Sequence, residues 1–171
     1  GGLAATNALS RSLGGEWKVW SWNPQAGTPH YIYGTGASVA SRFASADEAV
    51  VKALDLVRAN PAVFKADAAN LRLDAAPRAE GKQAVLFQQT YHGLDVYGGR
   101  VNLTFTEGGR LFVVGSDYYD GITLNPSASI PANTAVDIAR RALLPTESVV
   151  TSFEPKLMVL PVPQSETSVD F

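Results

Sequence analysis

The sequence predicts an α+β protein in which antiparallel β-sheets carry helices packed on one face, arranged as two lobes. Three observations lead there. Between Ala84 and Tyr119 three extended runs are separated by Gly-containing turns, the pattern of an antiparallel meander. Ser45-Ala46-Asp47-Glu48 is a Ser-x-x-Glu box, in which hydroxyl and carboxylate each satisfy a backbone N–H at a helix start. Past Ile122 the chain turns Ser-, Ala- and Pro-rich before a second helical run near 132–144, which divides it into lobes 1–122 and 123–171.

Residues 1–14 mix Gly, Ala, Ser and Leu without a clear period and read as a loosely held lead-in without a function. Glu16 to Trp22 follows as an aromatic-rich strand, Asn23 to Thr28 carries Pro and Gly at turn spacing, and Tyr31-Ile32-Tyr33 returns, so 16–34 is a hairpin. In the helix after Ser45, Val50, Leu54 and Val57 recur at helical spacing, with Val51 widening the stripe, and Asn60-Pro61 ends the run. Pro61 opens a further short turn, where its missing N–H costs nothing. Leu71-Arg72-Leu73 is extended.

The meander has runs Val85 to Tyr91, Tyr97 to Thr106, and Leu111 onward, with turns at His92-Gly93-Leu94-Asp95 and Glu107-Gly108-Gly109-Arg110. Val101, Leu103 and Phe105 alternate with Asn102, Thr104 and Thr106, so the first set faces the core and the second faces water. In the second lobe Ala135, Ile138, Ala139, Ala142 and Leu143 form a helical stripe, and Arg140 and Arg141 complement the helix C-terminus. Val149 to Phe153 and Leu157 to Leu160 are expected to pair antiparallel, and Val169-Asp170-Phe171 begins another strand. That lobe thus reads as incomplete at its C-terminus, with an unpaired sheet edge.

Composition narrows the function. The chain has 171 residues, 46% of them hydrophobic, enough to bury a core. Its 14 Lys and Arg are dispersed and the net charge is −2, so neither nucleic acid nor an anionic membrane is an expected partner. No stretch approaches the roughly 20 apolar residues of a membrane-spanning helix. The opening Gly1 to Thr6 lacks the basic and apolar regions of a secretion signal, so a signal is expected to be removed or absent. The absence of Cys excludes disulfides, thiolate catalysis and Cys-based zinc sites.

Candidate chemistry is sparse. His30 and His92 are the only histidines, and neither stands in the His-Glu-x-x-His pattern a zinc peptidase requires. Gly34-Thr35-Gly36 lacks the third glycine of a dinucleotide loop, since Val39 stands there. Asp117-Tyr118-Tyr119-Asp120 offers two carboxylates without the acidic density of a calcium loop, and reads as a solvated strand end. Trp17, Trp20 and Trp22 read as core and edge packing rather than a carbohydrate platform. His92 reads as an exposed turn residue rather than a pH-sensitive contact.

The run Phe87-Gln88-Gln89-Thr90-Tyr91-His92-Gly93-Leu94-Asp95-Val96-Tyr97-Gly98-Gly99-Arg100-Val101, followed by Glu107-Gly108-Gly109-Arg110-Leu111 and Val114-Gly115, resembles the fungalysin/thermolysin propeptide motif. The pattern is aromatic-Gln-x-x-Tyr-x-Gly-x-x-Val-aromatic-Gly-Gly, then a strand, a Gly turn and a strand ending in Gly. The residues carrying it are Gln88, Tyr91, Gly93, Val96, Gly98, Gly99, Gly108 and Gly115, at about 84–115. From about Asn125 the Ala-rich helix and the Lys156-Leu157-Met158-Val159-Leu160 strand resemble the start of a PepSY (cystatin-like) domain.

These resemblances imply a non-catalytic propeptide of a secreted or periplasmic zinc metalloprotease, acting as intramolecular chaperone and inhibitor. The implied partner is the metalloprotease catalytic domain. No catalytic, cofactor or metal residue is assigned, and zinc is expected only in a downstream peptidase domain. The alternative is a stand-alone binding or regulatory module of the same fold. The hairpin tips at His92 to Asp95 and Glu107 to Arg110 are the candidate contact points, being accessible.

Overall fold

A computed structural model describes residues 1–142 and 154–171. Helix α1 (Gly2–Leu13) is followed by strands β1 (Trp17–Asn23) and β2 (Thr28–Ser38), helices α2 (Ala46–Ala59) and α3 (Pro61–Phe64), and a 3₁₀ turn at Ala68–Asn70. Strands β3 (Leu71–Ala75), β4 (Arg78–Ala79), β5 (Lys82–Tyr91), β6 (Leu94–Thr106) and β7 (Arg110–Ser116) complete the body. Helix α4 (Ala132–Ala142) and strands β8 (Val162–Ser165) and β9 (Ser168–Asp170) follow. The main sheet runs β1-β2-β7-β6-β5-β3 with β4 beside β5, and every strand pair in it is antiparallel. The α+β architecture and the three-strand meander are as the sequence predicts.

Register shows how one face becomes the core. Val19 lies opposite Ile32, Ile32 opposite Val114, Val114 opposite Leu103, and Leu103 opposite Val85. This row, with Phe87, Val101 and Phe105, meets Leu9, Ala49, Ala53, Val57, Val63 and Phe64 from the helices. The next row, Lys18-Tyr33-Val113-Thr104-Ala84, turns to the other face because side chains alternate along a strand.

The first fourteen residues are not a loose lead-in. They form α1, with Ala5, Thr6 and Leu9 buried against the sheet and α3. Leu9 alone supplies a large core side chain there, which is why no apolar period stood out. In α2 the cap is as predicted: the Glu48 amide donates to Ser45 Oγ at 3.3 Å, while Glu48 Oε2 accepts from the Ala44 amide at 2.8 Å. The buried face is shifted, however. Ala49, Ala53, Leu56 and Val57 are buried, Val50 and Leu54 pack at the flank, and Val51 stands 61% exposed. Small alanines let the helix axis approach the sheet, so they occupy the centre of the contact in place of the bulkier valines.

Asn102 also departs from alternation: it is buried, because its amide lies against Gly115, where a Cβ would sit 2.7 Å from Nδ2. Among the described residues of α4 none is buried; of its apolar stripe Ala135 is half-buried and Ile138 is exposed. The expected antiparallel partner of 157–160 at 149–153 lies outside the described residues. Val159 instead makes a parallel bridge with Val96 on β6. The strand expected at 169–171 is β9, which pairs with β8.

Candidate functional site

The motif residues gather around the β5–β6 hairpin. Tyr91 pairs with Leu94, leaving His92 (φ 48) and Gly93 (φ 84) as a two-residue turn with both φ positive, the form whose twist matches the flanking strands. One pair further on, the register breaks: Thr90 pairs with Asp95 but Gln88 pairs with Arg100. Gln89 alone therefore faces the stretch Val96 to Gly99, a wide bulge in β6.

Two glutamines organise that bulge. Gln88, 6% exposed, directs Nε2 at the carbonyls of Val96 (2.7 Å), Gln89 (2.9 Å) and Gly99 (3.0 Å), satisfying acceptors that the broken ladder leaves over. Gln89, 2% exposed, donates from Nε2 to the Tyr119 carbonyl (2.6 Å) and accepts the Tyr119 amide on Oε1 (2.9 Å). Its side chain thus mimics a strand partner and holds the chain as it leaves β7. Gly99 has no room for a side chain, since a Cβ would lie 2.6 Å from Gln89 Oε1 and 2.9 Å from its Cβ.

The remaining predicted residues divide. Tyr91 donates its hydroxyl to the Leu124 carbonyl at 3.0 Å, and Val96 is fully buried. Gly98 takes φ 73 in open space. Gly115 lets the His30 carbonyl approach, 2.2 Å from where a Cβ would stand. Gly108 is open, with only Thr106 Oγ1 at 3.7 Å. These residues share one hairpin and its neighbour strand, except Gly108 at the far turn.

Beside the bulge lies a charge cluster that motif reading did not single out. Asp95, 7% exposed, accepts from Arg72 Nη2 on both carboxylate oxygens (3.0 and 3.1 Å) and from Lys156 Nζ. The Lys156 hydrogen bond, with Arg72 adding to it against the opposing effect of burial, holds the Asp95 carboxyl below its ordinary value of 3.8. β7 pairs with β6 only from Val101 onward, so the β6 edge at Asp95 to Tyr97 is free. Val159 fills it: its amide donates to the Asp95 carbonyl (2.9 Å) and its carbonyl accepts from the Tyr97 amide (2.8 Å). Only the tertiary pairing reveals Gln89, Arg72, Lys156 and Val159 as partners, because they come from separate elements.

The other candidates are structural in setting. His30 Nδ1 lies 2.7 Å from Asp117 Oδ2, and Asp117 Oδ1 accepts from Asn23 Nδ2 at 2.8 Å, so this carboxylate ties β1 and β2 to the end of β7. His92 stacks edge-on against Tyr91 at 4.5 Å. Trp17 is buried, with Nε1 donating to the Gly14 carbonyl at 2.9 Å. Trp20 departs from the expected packing: it sits in a β1 bulge between Val19 and Ser21 and is 74% exposed, edge-on to Tyr33 at 5.8 Å. Among the described residues, no three His, Asp or Glu side chains converge as a metal would require, and no helix is long and apolar enough to cross a membrane.

Residues 76–118, which contain β4 to β7, match the family model described as the Fungalysin/Thermolysin Propeptide Motif. The chain therefore carries a protease propeptide motif, and the bulged hairpin with its two glutamines is the physical form of it. No curated protein matches the chain. Among solved structures it is similar to the Bacillus megaterium YpeB C-terminal domain, at 12% identity and a TM-score of 0.45, over 84% of this chain. The chain spans 58% of the length of that structure.

Proposed function

We propose that the chain is the propeptide region of a secreted zinc metalloprotease and acts as intramolecular chaperone and inhibitor of the peptidase domain. The observation that carries this reading is the propeptide-motif match over 76–118, on the strands that form the centre of the sheet. A propeptide of this kind needs no reactive group of its own. It inhibits by burying a complementary surface over the cleft, and it assists folding by binding the native-like peptidase better than the unfolded one. The hairpin tip at His92-Gly93 and the exposed Tyr97 offer an accessible ridge for such a contact. The zinc belongs to the peptidase, not to this chain, and the expected compartment is extracellular or periplasmic.

The test is a titration of the chain against the zinc peptidase encoded with it, following peptide hydrolysis and the integrity of the chain. Saturable inhibition that weakens when Tyr97 is replaced by Ser supports the proposal. A folded chain that leaves the peptidase fully active would overturn it and leave the stand-alone binding module.

A further inference from the structure

Among the described residues, the section after Pro131 joins the body at the β6 edge and beside Tyr119. Among the described residues, α4 buries nothing, and β8 packs with β9 rather than with the main sheet. The described contacts with the body include the Asp95–Lys156 pair, the Val96–Val159 bridge with its two backbone hydrogen bonds, and the ring of Phe171 edge-on to Tyr119 at 6.3 Å. Residues 154–158 have no regular structure and are exposed. Lys156 is thus a basic residue in irregular, accessible backbone, the setting in which peptidases cut, yet its ammonium is held on a buried carboxylate.

We propose that the Lys156–Leu157 bond is a latched cleavage site for peptidases that take a basic side chain, with Asp95 as the latch. Such a peptidase must draw the lysine ammonium into its own anionic pocket and extend the flanking backbone along its cleft. While Lys156 is paired with Asp95 and Val159 is bridged to β6, both requirements fail together. Release of the pair exposes the bond. Hydrolysis then breaks the Lys156 C–N bond, with water giving its hydroxyl to the Lys156 carbonyl carbon and its proton to the Leu157 nitrogen. The severed segment then loses its covalent tether to Lys156 beside the Val159 bridge, and its departure from that bridge frees the β6 edge at Asp95 to Tyr97.

Among the described residues, the charged groups facing Asp95 are Arg72 from β3 and Lys156 from the segment itself. The latch therefore opens through loss of the carboxylate charge, or through a competing anion. The inference does not depend on the chain's action on any peptidase domain of its own.

Full-length chain and its Asp95→Asn variant are treated with trypsin under native conditions, and fragments are located by mass spectrometry. Because cleavage tracks the open population when opening is fast, Asp95→Asn is expected to cut at Lys156–Leu157 about 10-fold faster, while cutting at Arg58 in α2, which does not touch Asp95, is unchanged. Equal rates at Lys156 in two folded proteins overturn the latch. Should Asp95→Asn fail to fold, Val159→Pro removes the bridging amide and leaves Asp95 paired with Arg72. It is expected to raise cleavage at the same bond, and an unchanged rate there also overturns the proposal.

Discussion

At the scale of single residues, two glycines of the same motif are expected to behave oppositely. Gly99 sits where a Cβ would meet Gln89 Oε1 at 2.6 Å and Gln89 Cβ at 2.9 Å, and Gln89 cannot retreat without dropping both hydrogen bonds to Tyr119. Gly99→Ala should therefore cost about 1–3 kcal/mol, the range for overpacking a filled site. Gly108 has an ordinary φ and nothing nearer than 3.7 Å, so Gly108→Ala should stay within about 0.5 kcal/mol. Urea denaturation of the two variants beside the parent checks both. Gln88 makes a third case. Gln88→Leu leaves the Val96, Gln89 and Gly99 carbonyls without their donor, and burying unsatisfied polar groups costs about 1–3 kcal/mol, visible as a lowered urea midpoint. The motif resemblance singled out Gln88, Gly93 and Gly99, positions at which a backbone that needs special geometry restricts residue type. It could not separate Gly108 from Gly99, since the constraint on Gly99 comes from Gln89 across the strand.

At the scale of elements, legibility followed the range of the interactions. The β5–β6–β7 meander and the α2 start were readable because alternation and capping are local: Val101, Leu103 and Phe105 are fully buried as alternation requires, and Ser45 caps as its box requires. α1 was not readable, since its burial depends on the single large side chain Leu9 meeting a distant sheet. Nor was the docking of Val159, a parallel bridge that exists only because β7 stops short of the β6 bulge. The same docking makes a pH prediction. Asp95 has a folded pKa below its ordinary value, caused first by Lys156 and then by Arg72 against the effect of burial. A depressed carboxyl contributes stability that is present above its unfolded value of 3.8 and lost as pH falls through the folded value. Amide hydrogen exchange at Val159 should therefore stay slow from neutral pH down to about pH 4, after correction for intrinsic rates, and become fast below it. In Asp95→Asn it should be fast throughout. Fast exchange already at pH 6 in the parent would show that Asp95 does not anchor the segment.

At the scale of the whole molecule, the core formed by the described residues is made by the first 118. Every described member of the main hydrophobic cluster lies between Ala5 and Tyr118, and the buried residue beyond it among the described residues, Val159, covers Val96 at the sheet edge. A chain ending at residue 122 should accordingly fold by itself. It would lose the Tyr91 hydrogen bond to Leu124, the Lys156 partner of Asp95 and the cover on Val96, while Arg72 stays on the carboxylate and Gln89 stays on Tyr119. Uncovering one buried valine costs about 1.5–3 kcal/mol, and the lost hydroxyl bond about 0.5–1.5 kcal/mol more, against a total stability on the order of 5–15 kcal/mol. The fragment should thus unfold in urea as one cooperative step, at a lower midpoint than the full chain, with the near-ultraviolet signal of buried Trp17 retained. The urea dependence of its unfolding should be nearly that of the full chain, because that slope follows the surface exposed on unfolding and little of the core is removed. A fragment that binds hydrophobic dye and lacks near-ultraviolet structure would mean that the section after residue 122 is needed to form the body, and that its sparse contacts act before the sheet closes.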